Sequence, residues 1–250
     1  MTVEKAPAGA GRERQSAIYR DGVLGRRPTV PTDFGTLERA AKQKMSAKGW
    51  AYVHGAAGLG KTAQANRDAF DRWQIVPRVL RDVSDRYIGV DLFGKRLPAP
   101  VLLAPVGAAE LAGTGADVAI ASAAAELGVP YIFSNQGSAP MEESAAAMGD
   151  APRWFQLYWS TEDDLVDSLL ERAENMGADA VVVTLDTTML GWRPEDLNLG
   201  SLPFAQGKGI AQYTSDPVFM RVVRERIASA LPKADVEVTL GAVRSLLSMT

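Results

Sequence analysis

A chain of 250 residues, 46% apolar and 23% charged, carries enough apolar side chain for a sizeable core, which excludes a disordered or collagen-like polypeptide. Its 27 basic and 30 acidic residues give a net charge of −3, with no basic block able to neutralise a row of phosphates, so no nucleic-acid partner is expected and a small molecule is favoured. The sequence has no cysteine, which removes disulfides, thiolate nucleophiles and thiolate-bound metals, and no metal site is expected.

Residues 1–32 are polar and rich in Gly, Pro and Arg and read as a flexible N-terminal arm without the apolar core of a signal peptide. No later run reaches the length of a membrane span, so no membrane partner is expected and a cytoplasmic location is the default. Residues 33–100 form an N-terminal helical segment with a hairpin. Helical patterns cover Thr36 to Met45 and Ala63 to Trp73, where Ala65, Ala69 and Trp73 share a face, and a hairpin is centred on Phe93-Gly94-Lys95. Residues 101–190 then repeat. Val101 to Val106 reads as a buried parallel strand and is followed by a helix carrying Ala116, Ile120, Ala123 and Leu127. Tyr131 to Phe133 leads to a short helix opened by Pro140 and closed by Gly149. Trp154 to Trp159 is strand-like and precedes Ser160 and Thr161, placed three residues before Asp163 and Asp164 as in a capping box, and a helix that Gly177 ends. Ala180 to Leu185 is a fourth buried strand.

Such a repeat points to an α/β fold with a parallel sheet, either open and doubly wound or part of an eight-stranded barrel. Residues 191–250 break the rhythm: turn signals precede one amphipathic helix, about Val218 to Ala230, and a tail without a strong strand. An open four-stranded sheet would leave apolar edges, so the chain reads as structurally incomplete, truncated after about four βα units.

Gly55 to Thr62, GAAGLGKT, matches the phosphate-binding pattern G-x-x-x-x-G-K-[ST], and Asp186 could serve as its acidic partner. That reading needs a buried strand before Gly55, whereas Ser46 to His54 is interrupted by Lys48 and Gly49. A Gly/Ala-rich turn between two helices is the plainer account, and a P-loop nucleotide-binding protein is the alternative of another class.

AKQKM (Ala41–Met45), WAYVHG (Trp50–Gly55), NRDAF (Asn66–Phe70), LAP (Leu103–Pro105), FQLY (Phe155–Tyr158), TLD (Thr184–Asp186) and Gly191-Trp192-Arg193 stand in the order and spacing of the FMN-dependent 2-hydroxy-acid oxidases and dehydrogenases, which the chain resembles from about Phe34 to Phe219. Ser134 to Gln136 and Ile210 to Phe219 are most similar to the lactate 2-monooxygenase branch. The resemblance implies a TIM-type (β/α)8 barrel, FMN as cofactor, and a small (S)-2-hydroxy acid and O2 as partners, in a family whose members are commonly homo-oligomers. It implies flavin contacts from Pro105, Val106, Gly107, Ser134, Gln156 and Thr184, and binding of the substrate carboxylate by Tyr52, Tyr158 and Arg193, of which Tyr158 and Arg193 are also catalytic.

The branch converts lactate and O2 to acetate, CO2 and water; a lactate or glycolate-type oxidase or dehydrogenase giving the 2-keto acid is the alternative. The family's base is a histidine. The single histidine here, His54, lies where relatives have no base and reads as a loop or packing residue. The base and the phosphate-binding segments belong to later strands, so this polypeptide is expected to be inactive alone and to bind FMN weakly or not at all.

Overall fold

The structure, a computed structural model, describes residues 9–83 and 86–230. The chain divides into two compact units, Met1–Ser46 with Lys61–Pro100, and Ala47–Gly60 with Val101–Thr250. In chain order it begins with helices α1 (Ala10–Val23), α2 (Phe34–Lys44), α3 (Ala47–His54) and α4 (Lys61–Asp68), then strands β1 (Val90–Leu92) and β2 (Lys95–Leu97). Helix α3 belongs to the second unit and the others to the first.

In the first unit, α1 forms inside the segment expected to be a flexible arm, because Ala10 to Val23 is built mostly of good helix formers and Gly25, at φ 73°, supplies the stop. Asp33 caps α2, its Oδ1 accepting from the Thr36 N–H at 2.8 Å. Helix α4 is shorter than the expected helix and passes into a 3-10 turn at Ala69–Arg72, and Trp73 lies outside it, 83% exposed, so the apolar face read from Ala65, Ala69 and Trp73 is not a packed one. The hairpin is where the sequence places it: β1 and β2 pair antiparallel through Phe93 and Gly94, both at positive φ as a tight two-residue turn requires.

The second unit holds a parallel sheet of β3 (Tyr131–Phe133), β4 (Arg153–Tyr158) and β5 (Val181–Thr184), in that order, with α5 (Ala116–Leu127), α6 (Met141–Met148) and α7 (Asp163–Asn175) between and before them. Helices α8 (Pro194–Asn198), α9 (Ala211–Thr214) and α10 (Pro217–Ala230) follow. Phe155 and Leu157 of β4 lie with Tyr131 and Phe133 on the face covered by Ala121 and Ala124 of α5, Met141 and Met148 of α6, and Leu165 and Leu169 of α7. Each such large apolar side chain contributes about 1.5–3 kcal/mol when fully buried. The alternate residues Gln156, Tyr158 and Thr184 face the other way, and that is where chemistry is possible.

Three expectations are corrected. Val101 to Val106 is not a strand: it makes a single parallel bridge, Leu103 to Tyr131, since Pro105 has no N–H and Pro98 and Pro100 restrict the approach. The capping box at Ser160 and Thr161 does not form, because α7 starts late enough to make Glu162 its N-cap, and the Ser160 hydroxyl accepts the Glu162 N–H at 3.1 Å instead. Strand β5 is not fully buried: Val181 and Val183 are 43% and 41% exposed at the sheet edge. The final helix, α10, agrees with the sequence, whereas the tail beyond Ala230 lies outside the described residues. Among the described residues no helix is long and apolar enough to cross a membrane.

Candidate functional site

The C-terminal ends of β3, β4 and β5 lie side by side because the parallel register pairs Phe133 with Phe155, and Tyr158 with Thr184. Their polar side chains form one row. Gln156, 2% exposed, donates from Nε2 to Thr184 Oγ1 at 3.0 Å, while its Oε1 accepts from the Asn135 N–H at 3.2 Å and the Ser134 hydroxyl at 3.4 Å. Ser134 Oγ accepts in turn from the Gln136 N–H at 3.0 Å. Asn135 continues the ladder beyond the end of β3, its Oδ1 accepting the Tyr158 N–H at 2.9 Å, and its fully buried Nδ2 has no partner. A buried amide donor left unpaired costs about 1–3 kcal/mol, so it marks a place where a ligand acceptor would be stabilising.

The loop after Leu103 is drawn against this row. Ala108 N–H donates to the Gln136 carbonyl at 2.8 Å, and Ala108 itself is held in the left-handed region at φ 50°. At Gly107 a Cβ would stand 3.1 Å from Gln136 Oε1 and 3.2 Å from the Tyr52 hydroxyl, so glycine permits a close approach there. Gly107 therefore joins the cluster, whereas Pro105 and Val106 flank it, Val106 being 44% exposed.

Tyr52 comes from α3, and Arg193 from the N-cap of α8. The Arg193 guanidinium carbon lies 5.6 Å from the centre of the Tyr52 ring. Desolvation raises the Tyr52 phenol above its ordinary range, with Arg193 pulling it down and Tyr158 and Asp196 pushing it further up. Tyr158 also acts on Tyr213 of α9, whose phenol is raised chiefly by burial and then by Tyr158. Arg193 does not present a free fork. Its Nε donates to Asp196 Oδ2 at 2.6 Å and its Nη2 to the carbonyls of Ala51, at 3.4 Å, and Tyr52, which leaves Nη1.

A cavity of about 280 Å³ opens beside this cluster, lined by Gln136, Tyr158, Thr184, Phe204, Ile210 and Tyr213 together with apolar side chains of residues 185–202. Tyr158 and Thr184 face it directly, and Tyr52 stands behind Phe204, the two rings meeting edge-on at 6.4 Å. Donors and acceptors along three strand ends, a backbone-close glycine and apolar walls suit a planar heteroaromatic ring. Sequence reasoning missed Asn135, Asp196, Phe204 and Tyr213. Only Asp196 had a local signal, three residues after an arginine on a short helix.

His54 lies outside the cavity, stacked on Trp50 at 4.5 Å and 3.3 Å from Glu195 Oε1, which is the packing role expected of it. Gly55 follows helix α3 rather than a strand, and Gly58 N–H donates to the Trp192 carbonyl at 2.8 Å, so the glycine-rich segment lacks the strand a phosphate-binding loop requires. Among the described residues no group of acidic or histidine side chains could hold a metal ion.

The chain is similar to several known proteins. Residues 41–242 match the FMN-dependent dehydrogenase family. The chain is 42% identical over 206 residues to the FMN-dependent alpha-hydroxy acid dehydrogenase qulF of Penicillium citrinum, covering 82% of this chain and 51% of that protein. It is also 42% identical to an L-lactate oxidase of Lysinibacillus sphaericus, covering 76% of this chain and 49% of that one. Among solved structures it resembles a mandelate oxidase bound to benzoyl-formic acid, with a TM-score of 0.68 at 33% identity, covering 75% of this chain and 55% of the other. The chain spans about half the length of the curated relatives it matches. These mandelate and lactate oxidases are TIM-barrel flavoenzymes, and the strand–helix repeat of the second unit is an incomplete barrel of that kind.

Proposed function

Because the chain belongs to the FMN-dependent dehydrogenase family, oxidoreductases whose cofactor is FMN, we propose that its second unit forms the flavin-facing strand ends and the carboxylate-binding side of a 2-hydroxy-acid-oxidising site. The observation that carries this reading is the hydrogen-bonded row Ser134–Gln156–Thr184 on three adjacent strand ends, beside Tyr158 and within reach of Gly107 and Tyr52. Ser134, Gln156 and Thr184 would offer hydroxyl and amide groups to a bound flavin, with the unpaired Asn135 Nδ2 as a further donor, and the small residue at Gly107 would permit a close backbone approach. FMN, when bound, accepts the hydride equivalent from the substrate α-carbon.

Tyr52 and Tyr158 donate phenolic hydroxyls to the substrate carboxylate, and Arg193 adds a charge-assisted bond through Nη1. The apolar walls favour a small hydroxy acid with an apolar substituent, and we infer lactate from them together with the lactate-oxidase relative; of the three carboxylate-binding residues Tyr158 lines the cavity, while Tyr52 and Arg193 stand outside its lining. We assign the lactate 2-monooxygenase outcome, acetate with CO2 and water, on the segments Ser134–Gln136 and 210–219; pyruvate is the product of the alternative oxidase reading.

The test is direct. Oxalate and L-lactate, titrated into the polypeptide with excess FMN and followed by tyrosine fluorescence, are expected to bind at least tenfold more weakly when Tyr158→Phe and Arg193→Lys are combined. Binding that is absent, or indifferent to both substitutions, overturns the site. Where turnover under air is observed, acetate marks the monooxygenase outcome and pyruvate with hydrogen peroxide refutes it.

A further inference from the structure

Arg193 is the N-cap of α8, and Asp196 lies in the first turn of the same helix. The Asp196 side chain is 14% exposed, and its Oδ2 accepts from Arg193 Nε at 2.6 Å. Its other oxygen, Oδ1, is buried without a partner, so the carboxylate is committed to this one cation. The helix is closed around it: Leu197 N–H donates to the Arg193 carbonyl and Ser201 N–H to the Asp196 carbonyl, each at 3.0 Å. On its far side the guanidinium donates through Nη2 to the carbonyls of Ala51 and Tyr52 at the end of α3, where the helix dipole favours a cation. Nη1 makes no hydrogen bond with any described residue.

We propose that Asp196 is a positioning residue for Arg193: with the α3 carbonyls it fixes the plane of the guanidinium over Tyr52, so that Nη1 is the donor left for a substrate carboxylate. The proposal rests on the reading that Arg193 and Tyr52 bind that carboxylate. An arginine side chain is long and rich in rotamers, and a guanidinium held at only one end would sample several of them. The geometry removes that freedom before substrate arrives, which is how a fixed fork gains affinity. The same carboxylate acts on Tyr52, where after desolvation it counts among the groups that keep the phenol protonated.

The experiment is a double-mutant cycle read as the dissociation constant of oxalate, with excess FMN, for the unsubstituted chain, Asp196→Ala, Arg193→Lys and the double variant, with Asp196→Asn as the conservative control. Thermal unfolding of each variant and the Arg193 Nε–H resonance are recorded alongside. Asp196→Ala is expected to weaken oxalate at least tenfold and to release the Nε–H resonance to solvent exchange. Asp196→Asn, which keeps an acceptor oxygen, should restore most of both, and Asp196→Ala should add nothing once Arg193 is lysine. If Arg193→Lys weakens oxalate while Asp196→Ala only lowers the melting temperature, Asp196 is structural and the proposal is overturned, with the carboxylate site intact. If the unsubstituted chain binds no oxalate, or Arg193→Lys is without effect, the reading of the site itself fails and the proposal falls with it.

Discussion

Gln156 Nε2 lies 3.0 Å from Thr184 Oγ1, so the side chains of two neighbouring parallel strands are joined at the same end of the sheet where the cavity opens. Gln156 is buried, and the same side chain also receives the Ser134 hydroxyl and the Asn135 N–H. Gln156→Leu would strip partners from the buried Ser134 hydroxyl and Asn135 N–H and from the half-buried Thr184 hydroxyl, at a cost of about 1–3 kcal/mol for each buried group left unpaired. Urea denaturation should show a loss in that range with an unchanged slope. The conservative Gln156→Glu keeps the acceptor and loses the donor toward Thr184, so flavin binding should fall in it even where the stability loss is smaller.

Three of the six tyrosines, Tyr52, Tyr131 and Tyr213, have phenols raised above the ordinary range, burial being the largest cause in each. Because the folded chain holds these protons more tightly than the unfolded one, their contribution to stability is fully present below the unfolded tyrosine pKa of about 10. It is lost as pH rises through the folded values. The unfolding free energy should therefore fall above about pH 10 with a slope approaching 1.4 kcal/mol per pH unit for each such group. Replacing Tyr213 with Phe should make that slope shallower, and an unchanged alkaline slope in this variant would remove Tyr213 from the account.

Arg172 of α7 ties the segment that carries Tyr213 to the rest of the second unit. Its guanidinium reaches Asp216, which is fully buried, at 3.1 Å, the Gln212 carbonyl at 2.8 Å and both oxygens of Glu142 at 2.8 and 3.0 Å. Arg172→Ala would leave the buried Asp216 carboxylate without its cation, although the Ser168 hydroxyl and the Val218 and Phe219 N–H groups still donate to it, so the loss should lie near the lower end of the about 3–5 kcal/mol typical of a broken buried pair. The hydrogen bond from Arg172 also holds the Glu142 carboxyl below its ordinary range. That contribution is present above the unfolded glutamate pKa of about 4.3 and disappears as pH falls through the lower folded value. Stability curves of the two proteins should accordingly converge as the solution is made acid, and curves that stay parallel would count against the assignment.

Much of this was legible in the sequence. Strands β4 and β5, helix α10 and the Phe93-Gly94 turn follow from apolar runs, helical periodicity and a glycine at a tight corner, which are local signals. Ser134, Gln156 and Thr184 meet because a parallel register fixes where β3, β4 and β5 end, whereas Gly107 comes against Gln136 and Tyr52 from a loop. No strand forms at Val101 to Val106, although its apolarity signals burial, because the prolines nearby deny it ladder bonds. Asn135, Phe204 and Tyr213 escaped notice for another cause: their partners, Tyr158 and Tyr52, are far along the chain, and no spacing rule reports such a contact. The orphan Oδ1 of Asp196 likewise exists only in three dimensions.

The cavity also shapes how this polypeptide should bind flavin. Its lining is apolar and phenolic with the polar groups of Gln136, Thr184, Thr187 and Thr188, and no lysine or arginine is among the residues that line it. A phosphate group entering there would find no cation to offset its desolvation, whereas the ring would still meet the strand-end donors. Binding should therefore be weak, carried by the ring rather than by the phosphate. Fluorescence titration is expected to give riboflavin and FMN affinities within about threefold of each other, with little dependence on salt, since a phosphate-held ligand would lose affinity as ions screen it. A purified polypeptide that retains stoichiometric FMN through gel filtration, or that prefers FMN over riboflavin by orders of magnitude, would mean that a cationic phosphate site exists elsewhere in the chain and that the ring contacts are secondary.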